Sequence, residues 1–196
     1  MIDRLRHLRR APIVLAALLL AAATAAGACG FEDPNSIGVR RGLLNLAFPE
    51  SLHVGTAIWQ AQLAGKLPRD PLAQNADLTP EARGALRMMQ ATAAMRALAA
   101  RLASENSGGA QNLSVVLLSS VMWSRFEPQG NAVSATVHVT GPEPGDVVLV
   151  TDTPAINALV SGGLDFSEAL ALGLFRLYGD AAKIDATRRW LAEGRL

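Results

Sequence analysis

The chain holds one cysteine and one tyrosine, and aromatic residues make up only 5% of its 196 positions. A lone thiol excludes an intrachain disulfide, so stability has to come from burial. So few rings exclude a core built on aromatic stacking, and Ala, Leu and Val must fill it. Charge of one sign is also missing: 18 Lys and Arg face 17 Asp and Glu. Beyond residue 28 there are 14 basic and 16 acidic side chains, which leaves no basic surface to attract nucleic acid. The chain has no GxSxG, no HExxH, no CxxC and no glycine-rich phosphate loop. His53 and His138 stand far apart in sequence, and Asp152, Asp165 and Asp180 sit where helix caps belong. No enzyme, cofactor or metal site is therefore expected. Only one long apolar run exists, Ala11 to Ala26, so nothing after it should span a membrane.

That run carries the most informative residues. Arg4, Arg6, Arg9 and Arg10 precede it, and Ala26-Gly27-Ala28-Cys29 follows it. A basic start, an apolar centre and small residues at the exit read as a secretory signal over residues 1–28. Cys29 at the cleavage point resembles the lipobox of bacterial lipoproteins. The resemblance implies an acylated thiol, with acyl chains such as palmitate, at the first residue of the mature chain. Ala26 stands where a lipobox usually has Leu. Ala26-Gly27-Ala28 also satisfies the A-x-A rule of ordinary secretion, in which Cys29 is a free thiol. The lipid reading places the protein in a bacterial envelope, facing the periplasm. Gly30 rather than Asp after the cysteine favours the outer membrane by the enteric sorting pattern.

Residues 29–36 form a polar tether containing Pro34. Residues 37–112 read as a helical part. Ile37 to Phe48 has no firm assignment. Ser51 can cap a helix to about Ala64, stopped by Gly65, with Val54, Ala57, Ile58, Ala61 and Ala64 inward and Trp59 packed. Leu67 to Leu78 holds two prolines and reads as a loop. Thr79-Pro80-Glu81 opens a long helix to about Ser104, before Ser107-Gly108-Gly109. Its stripes Met88-Ala91-Met95-Leu98-Leu102 and Ala82-Leu86-Met89-Ala93 predict a wide apolar face.

Residues 113–196 change period. Leu113 to Trp123 reads as one strand, and Glu127 to Asn131 as a turn. Ala132 to Thr140 alternates, with Val133, Ala135, Val137 and Val139 toward the core and Ser134, Thr136 and His138 opposite. Val147 to Val150 is a third strand of the same meander. Asp152-Thr153-Pro154 starts a helix that Gly162-Gly163 ends. Asp165 and Glu168 have capping-box spacing, Leu174 to Tyr178 is a brief strand, and Gly179-Asp180 opens a last helix with Ile184, Thr187 and Leu191 inward. The fold class is α+β: an antiparallel sheet of four or five strands covered by helices, with residues 37–196 in one domain.

Gly145 to Ile184 resembles the end of the sterol carrier protein family, the type-two sterol-binding domain. The matching residues are Asp146 on a strand, Leu159 to Leu164 at a helix end, Gly173-Leu174, and Gly179-Asp180. Phe175-Arg176 stands where the family often has Lys-Leu or Lys-Ile. The resemblance implies an apolar ligand, lipid or sterol-like, held between sheet and helices. Met122, Trp123, Phe166, Leu170 and Phe175 could line such a space, or could simply fill a core. A non-catalytic adaptor lipoprotein with a filled core is the alternative.

Replacing Cys29 by Ala is predicted to leave an uncleaved precursor or to release the protein from the membrane fraction. Unchanged processing together with unchanged membrane association contradicts the lipid reading.

Overall fold

The computed structural model of the protein describes residues 37–75, 77–103, 111–130 and 132–193. Residues 40–196 make one compact unit, and residues 1–39 a second, of which only 37–39 are described. The expected signal, Cys29, the tether and the Ser107-Gly108-Gly109 stop lie outside the described residues. The elements in order are helices α1 (Ile37–Ala47), α2 (Ser51–Leu63), α3 (Pro71–Gln74) and α4 (Pro80–Ala103), then strands β1 (Leu113–Leu117), β2 (Met122–Gln129), β3 (Ala132–Val139) and β4 (Val147–Thr151). Helices α5 (Thr153–Val160) and α6 (Phe166–Ala171), strand β5 (Arg176–Tyr178) and helix α7 (Ala181–Glu193) complete the chain.

Helix starts follow the local chemistry. Thr79 Oγ1 accepts from Ala82 N–H at 3.2 Å, and Pro80 is the first residue of α4. Asp165 Oδ1 accepts from Glu168 N–H at 2.7 Å, and Asp180 Oδ1 from Ala182 and Lys183 N–H. Ser51 departs from expectation. Glu50 occupies the N-cap position of α2, and the Ser51 hydroxyl bonds Asn45 instead. Asp70 is a cap that was not expected; it accepts from Leu72 N–H at 2.8 Å and starts α3 inside the expected loop.

The sheet has five strands in the order β3-β2-β1-β4-β5. All neighbours are antiparallel except β1 and β4, which run parallel from Leu113↔Val147 to Leu117↔Thr151. Two expectations are corrected here. The single strand Leu113 to Trp123 is two strands joined by the turn Leu118–Val121, and the Glu127 to Asn131 turn is shorter, because Glu127, Pro128 and Gln129 pair with β3. The expected meander also breaks after β3, since β4 crosses the sheet to lie beside β1. The physical reason is burial. Every residue of β1 and β4 is buried, so both faces of the sheet's centre are covered, and apolar runs such as Val147-Val148-Leu149-Val150 need that central place.

Strand β3 is an edge. Val133, Ala135, Val137 and Val139 pack against the core but stay half-buried, so they are shallower than expected. The register slips beside Trp123/Ser124, opposite His138, whose φ of 64° is left-handed. His138 Nε2 lies 2.9 Å from Thr92 Oγ1 on α4, the helix that lies across β3 and packs on α5. The wide face expected of α4 is narrower in fact. Ala91, Ala94, Met95, Leu98 and Leu102 are buried, while Met89 is 68% exposed and Ala93 is exposed.

One end of the sheet is closed by a charged cluster. Asp146, 8% exposed, accepts from Arg125 Nε at 3.1 Å and from Arg125 Nη2 at 3.3 Å. It also accepts from Ser114 Oγ at 2.7 Å and Glu143 N–H at 3.0 Å. Burial by itself would raise the Asp146 pKa, but the hydrogen bonds from Arg125 and Ser114 overcome it and hold the carboxyl below its ordinary value. An acid depressed in the folded state adds stability above its unfolded pKa, and that stability is lost as pH falls toward the folded one. The melting temperature is therefore expected to drop below about pH 4. Asp146→Asn should melt lower at neutral pH and lack part of that drop. An identical pH profile in thermal melts would contradict this assignment.

Candidate functional site

The turn Leu118–Val121 is built around a carboxylate. Asp152 accepts from Ser119 N–H at 3.1 Å, from Ser119 Oγ at 2.6 Å and from Thr153 N–H at 2.8 Å. It thereby caps α5 and fastens the turn to the end of β4. Leu118 N–H continues the ladder to Thr151 O at 2.9 Å. Pinned from inside, the turn directs its carbonyls outward: Arg41 donates to Leu118 and Ser119 O, and Arg40 to Val121 O at 3.0 Å. Val121 has a φ of 47°, a costly conformation for a β-branched residue. These two arginines seat α1 on the sheet's end.

The corner between α1 and α2 is fixed separately. The Phe48 ring meets Trp123 at 5.8 Å and Tyr178 at 5.0 Å between centroids. Arg176 Nε bonds Glu50 Oε2 at 2.6 Å, and Glu50 N–H donates to Tyr178 Oη at 3.1 Å. Helix α2 then turns Val54, Ile58 and Ala61 inward.

A trough is left along one flank of α2. Its first half is a groove of about 620 Å³. Leu44, Leu52, Gly55, Trp59 and Leu118 give it an apolar lining, with Arg41, Ser119 and Asp152 at its floor. Its second half, about 500 Å³, lies between α2, α4 and the start of α5. Ile58, Gln62, Arg69, Asp70, Arg87 and Gln90 are on its walls. Ser119 and Asp152 line both halves. From Ser51 to Gln62 the flank is about 17 Å long at 1.5 Å per residue. Arg87 Nη2 pairs with Asp70 at 3.2 Å in the polar half. Gly55 forms part of the apolar wall, where an added Cβ would meet only Leu118 Cδ1 at 3.9 Å.

The five residues chosen from the sequence lie elsewhere. Phe166 and Phe175 are brought together, centroids 5.4 Å apart, and both are buried in the core. Met122 and Trp123 are buried at the start of β2. Leu170 is half-buried and lines, with Phe175, a third cavity of about 590 Å³ that also touches Glu50, Arg176 and Arg188. None of the five lines the trough. Trp190 is buried, but Trp59, expected to pack, is 60% exposed. It follows Ile58 by one residue, about 100° round the helix, and so leaves the buried face. A signal for this site does exist in the sequence: α2 contains no Asp, Glu, Lys or Arg. Among the described residues no group of three or more His, Cys, Asp or Glu could hold a metal ion.

No protein-family model and no curated protein matches the chain. Solved structures that it resembles include sterol carrier protein 2 like 2 from Aedes aegypti, 18% identical over 52% of this chain and 96% of that one, TM-score 0.38. A conserved hypothetical protein from Thermus thermophilus is 20% identical over 54% of this chain and 81% of its own, TM-score 0.37. A stereoselective inverting sec-alkylsulfatase from Pseudomonas sp. is 18% identical over 58% of this chain, TM-score 0.35. The chain spans 16% of that sulfatase's length. A sterol carrier protein is thus among the structures it resembles. Likeness at this level says nothing of ligand or activity.

Burial pushes the Asp152 pKa up, against the bonds from Ser119 and Thr153 and the nearby Arg41 charge. A raised acid favours the folded state when protonated, so its contribution grows as pH falls through the folded value and shrinks above it. Asp152→Asn keeps an N-cap acceptor and removes the buried charge, but turns its amide NH2 toward the Ser119 N–H that Oδ2 accepts. It is expected to be destabilising at pH 7, by less than Asp152→Ala. Asp152→Ala should cost about 0.5–2 kcal/mol, the range for a lost N-cap. Urea unfolding distinguishes them, and equal losses for the two variants would contradict the role given to Asp152.

Proposed function

We propose that the protein is a lipid-anchored envelope protein that binds an apolar, chain-shaped ligand along α2. The observation that carries this is the trough itself. Its volumes fall within the range of about 300–1,000 Å³ usual for ligand pockets. Its first half is walled by Leu44, Leu52, Gly55, Trp59 and Leu118, and polar groups gather on the floor and at the far end. A narrow site about 17 Å long suits an extended hydrocarbon better than a rigid ring system. The acyl anchor on Cys29 belongs to the same proposal and rests on the sequence around that residue.

A second reading has its own support. Phe126, Phe175, Met95, Leu98 and Ile156 in the core are all under 2% exposed. That favours the sterol-carrier-like part as a solid scaffold, so an interior ligand is not part of the proposal.

Gly55→Leu separates binding from folding. The added Cβ meets only Leu118 Cδ1 at 3.9 Å on the groove wall, and a poor helix former is replaced by a good one. Titration with a fluorescent fatty acid should show affinity weakened about tenfold or more, equivalent to 1.4 kcal/mol or more. The melting temperature should hold or rise. Wild-type binding that Gly55→Leu leaves unchanged would move the ligand out of the trough. No binding by wild type to fatty acids, sterols or phospholipids would favour the scaffold reading.

A further inference from the structure

Among the described residues, exposed large apolar side chains are concentrated in one stretch. Among the described residues the exposed ones are Ile37, Leu43, Leu46, Leu52, Trp59, Leu63 and Met89, and six of these seven fall within residues 37–63. Helix α2 concentrates them. Leu52, Trp59 and Leu63 follow one another at seven- and four-residue spacing, so they share a face. They are 62%, 60% and 55% exposed. The inward face carries Val54, Ile58 and Ala61. No ionisable side chain other than His53 occurs anywhere on the helix. A water-facing helix ordinarily carries charge on its outer side.

Chain length identifies what can cover this face. Eight residue steps separate Cys29 from Ile37. Fully extended they reach at most about 29 Å, so an acyl anchor at Cys29 keeps the start of α1 within that distance of a bilayer. The apolar exposure is concentrated in the segment that follows such an anchor. Trp at its centre is the side chain best suited to a lipid–water boundary. The trough adds continuity, because Leu52 and Trp59 line it and also stand on the exposed face.

We infer that the outer face of α2 docks on the lipid bilayer, with Leu52, Trp59 and Leu63 inserted at the interface, and that the trough mouth opens onto the lipid phase. The inference rests on the anchor reading for proximity but makes its own contact with lipid. It differs from ligand binding in what it needs: a planar lipid surface against Leu63 and Trp59, rather than a guest beside Gly55.

Trp59 reports on it directly, because Trp123 and Trp190 are 8% and 3% exposed. The full-length chain, purified from membranes, is reconstituted into phosphatidylcholine vesicles with or without lipids brominated near the headgroup end of their chains. Emission lost to bromine is measured for wild type, Trp59→Phe and Leu63→Lys. About half or more of the Trp59 emission should be quenched by bromines placed about 5–10 Å below the headgroups. The quenchable part should vanish in Trp59→Phe and shrink in Leu63→Lys. Trp59 quenched by aqueous iodide but not by bromolipid, in a chain that still floats with the vesicles, overturns the docking inference and leaves the anchor standing. Cys29→Ala tests the anchor separately. Bromine quenching of Trp59 that persists when wild type carries no acyl group supports docking and removes the anchor.

Discussion

Much of this structure depends on a single shielded carboxylate. Asp152 takes three hydrogen bonds, two from Ser119 and one from Thr153, and so joins the β1–β2 turn to the start of α5. With its interior bonds satisfied, the turn has its carbonyls free for Arg40 and Arg41. Those contacts seat α1, Phe48 and Glu50 set the corner, and α2 is laid with one flank open. The trough is therefore a consequence of how the N-terminal helices are fastened. The carboxylate is desolvated by that placement, and burial raises its pKa in spite of its partners.

The two ends of the sheet solve the same problem differently. At the Asp146 end, Arg125 supplies a full counter-charge and the acid is held ionised. At the Asp152 end, neutral donors supply most of the compensation and Arg41 adds a more distant charge. The first arrangement closes the sheet. The second leaves an apolar wall, polar atoms on its floor and a charge-free helix beside it. Between them the interior is dense, with Phe166 against Phe175 and the central strands buried on both faces.

Local chemistry was legible where one residue decides the matter. Thr79-Pro80, Asp152-Thr153-Pro154, Asp165 with Glu168, and Asp180 announce helix starts because a capping side chain satisfies a specific backbone N–H. Less was legible where distant partners decide. Leu113 to Trp123 is dense in Val and Leu, so the break at Leu118–Val121 depends on Asp152, more than thirty residues away. The parallel pairing of β1 and β4 is a choice between partners that the strand sequences do not distinguish, although the unbroken apolar run Val147 to Val150 was a sign of central burial. The five residues chosen from the sequence and the trough do not coincide. Phe166, Leu170 and Phe175 attract attention because they are large, but large apolar residues fill cores before they line pockets. Trp59 on a helix with no Asp, Glu, Lys or Arg was the better clue, and its meaning depends on which face of α2 the sheet buries.

The central claim is that an apolar chain lies along α2 rather than between the sheet and its helices. Photocrosslinking with a diazirine fatty acid tests it most directly. The purified protein is irradiated with the probe bound, digested, and the labelled residues are mapped by mass spectrometry. Label is expected on Leu52, Gly55, Trp59 and Leu118, diminished by excess unlabelled fatty acid. Competable label confined to Phe166, Leu170 and Phe175, with none on α2, would contradict the claim.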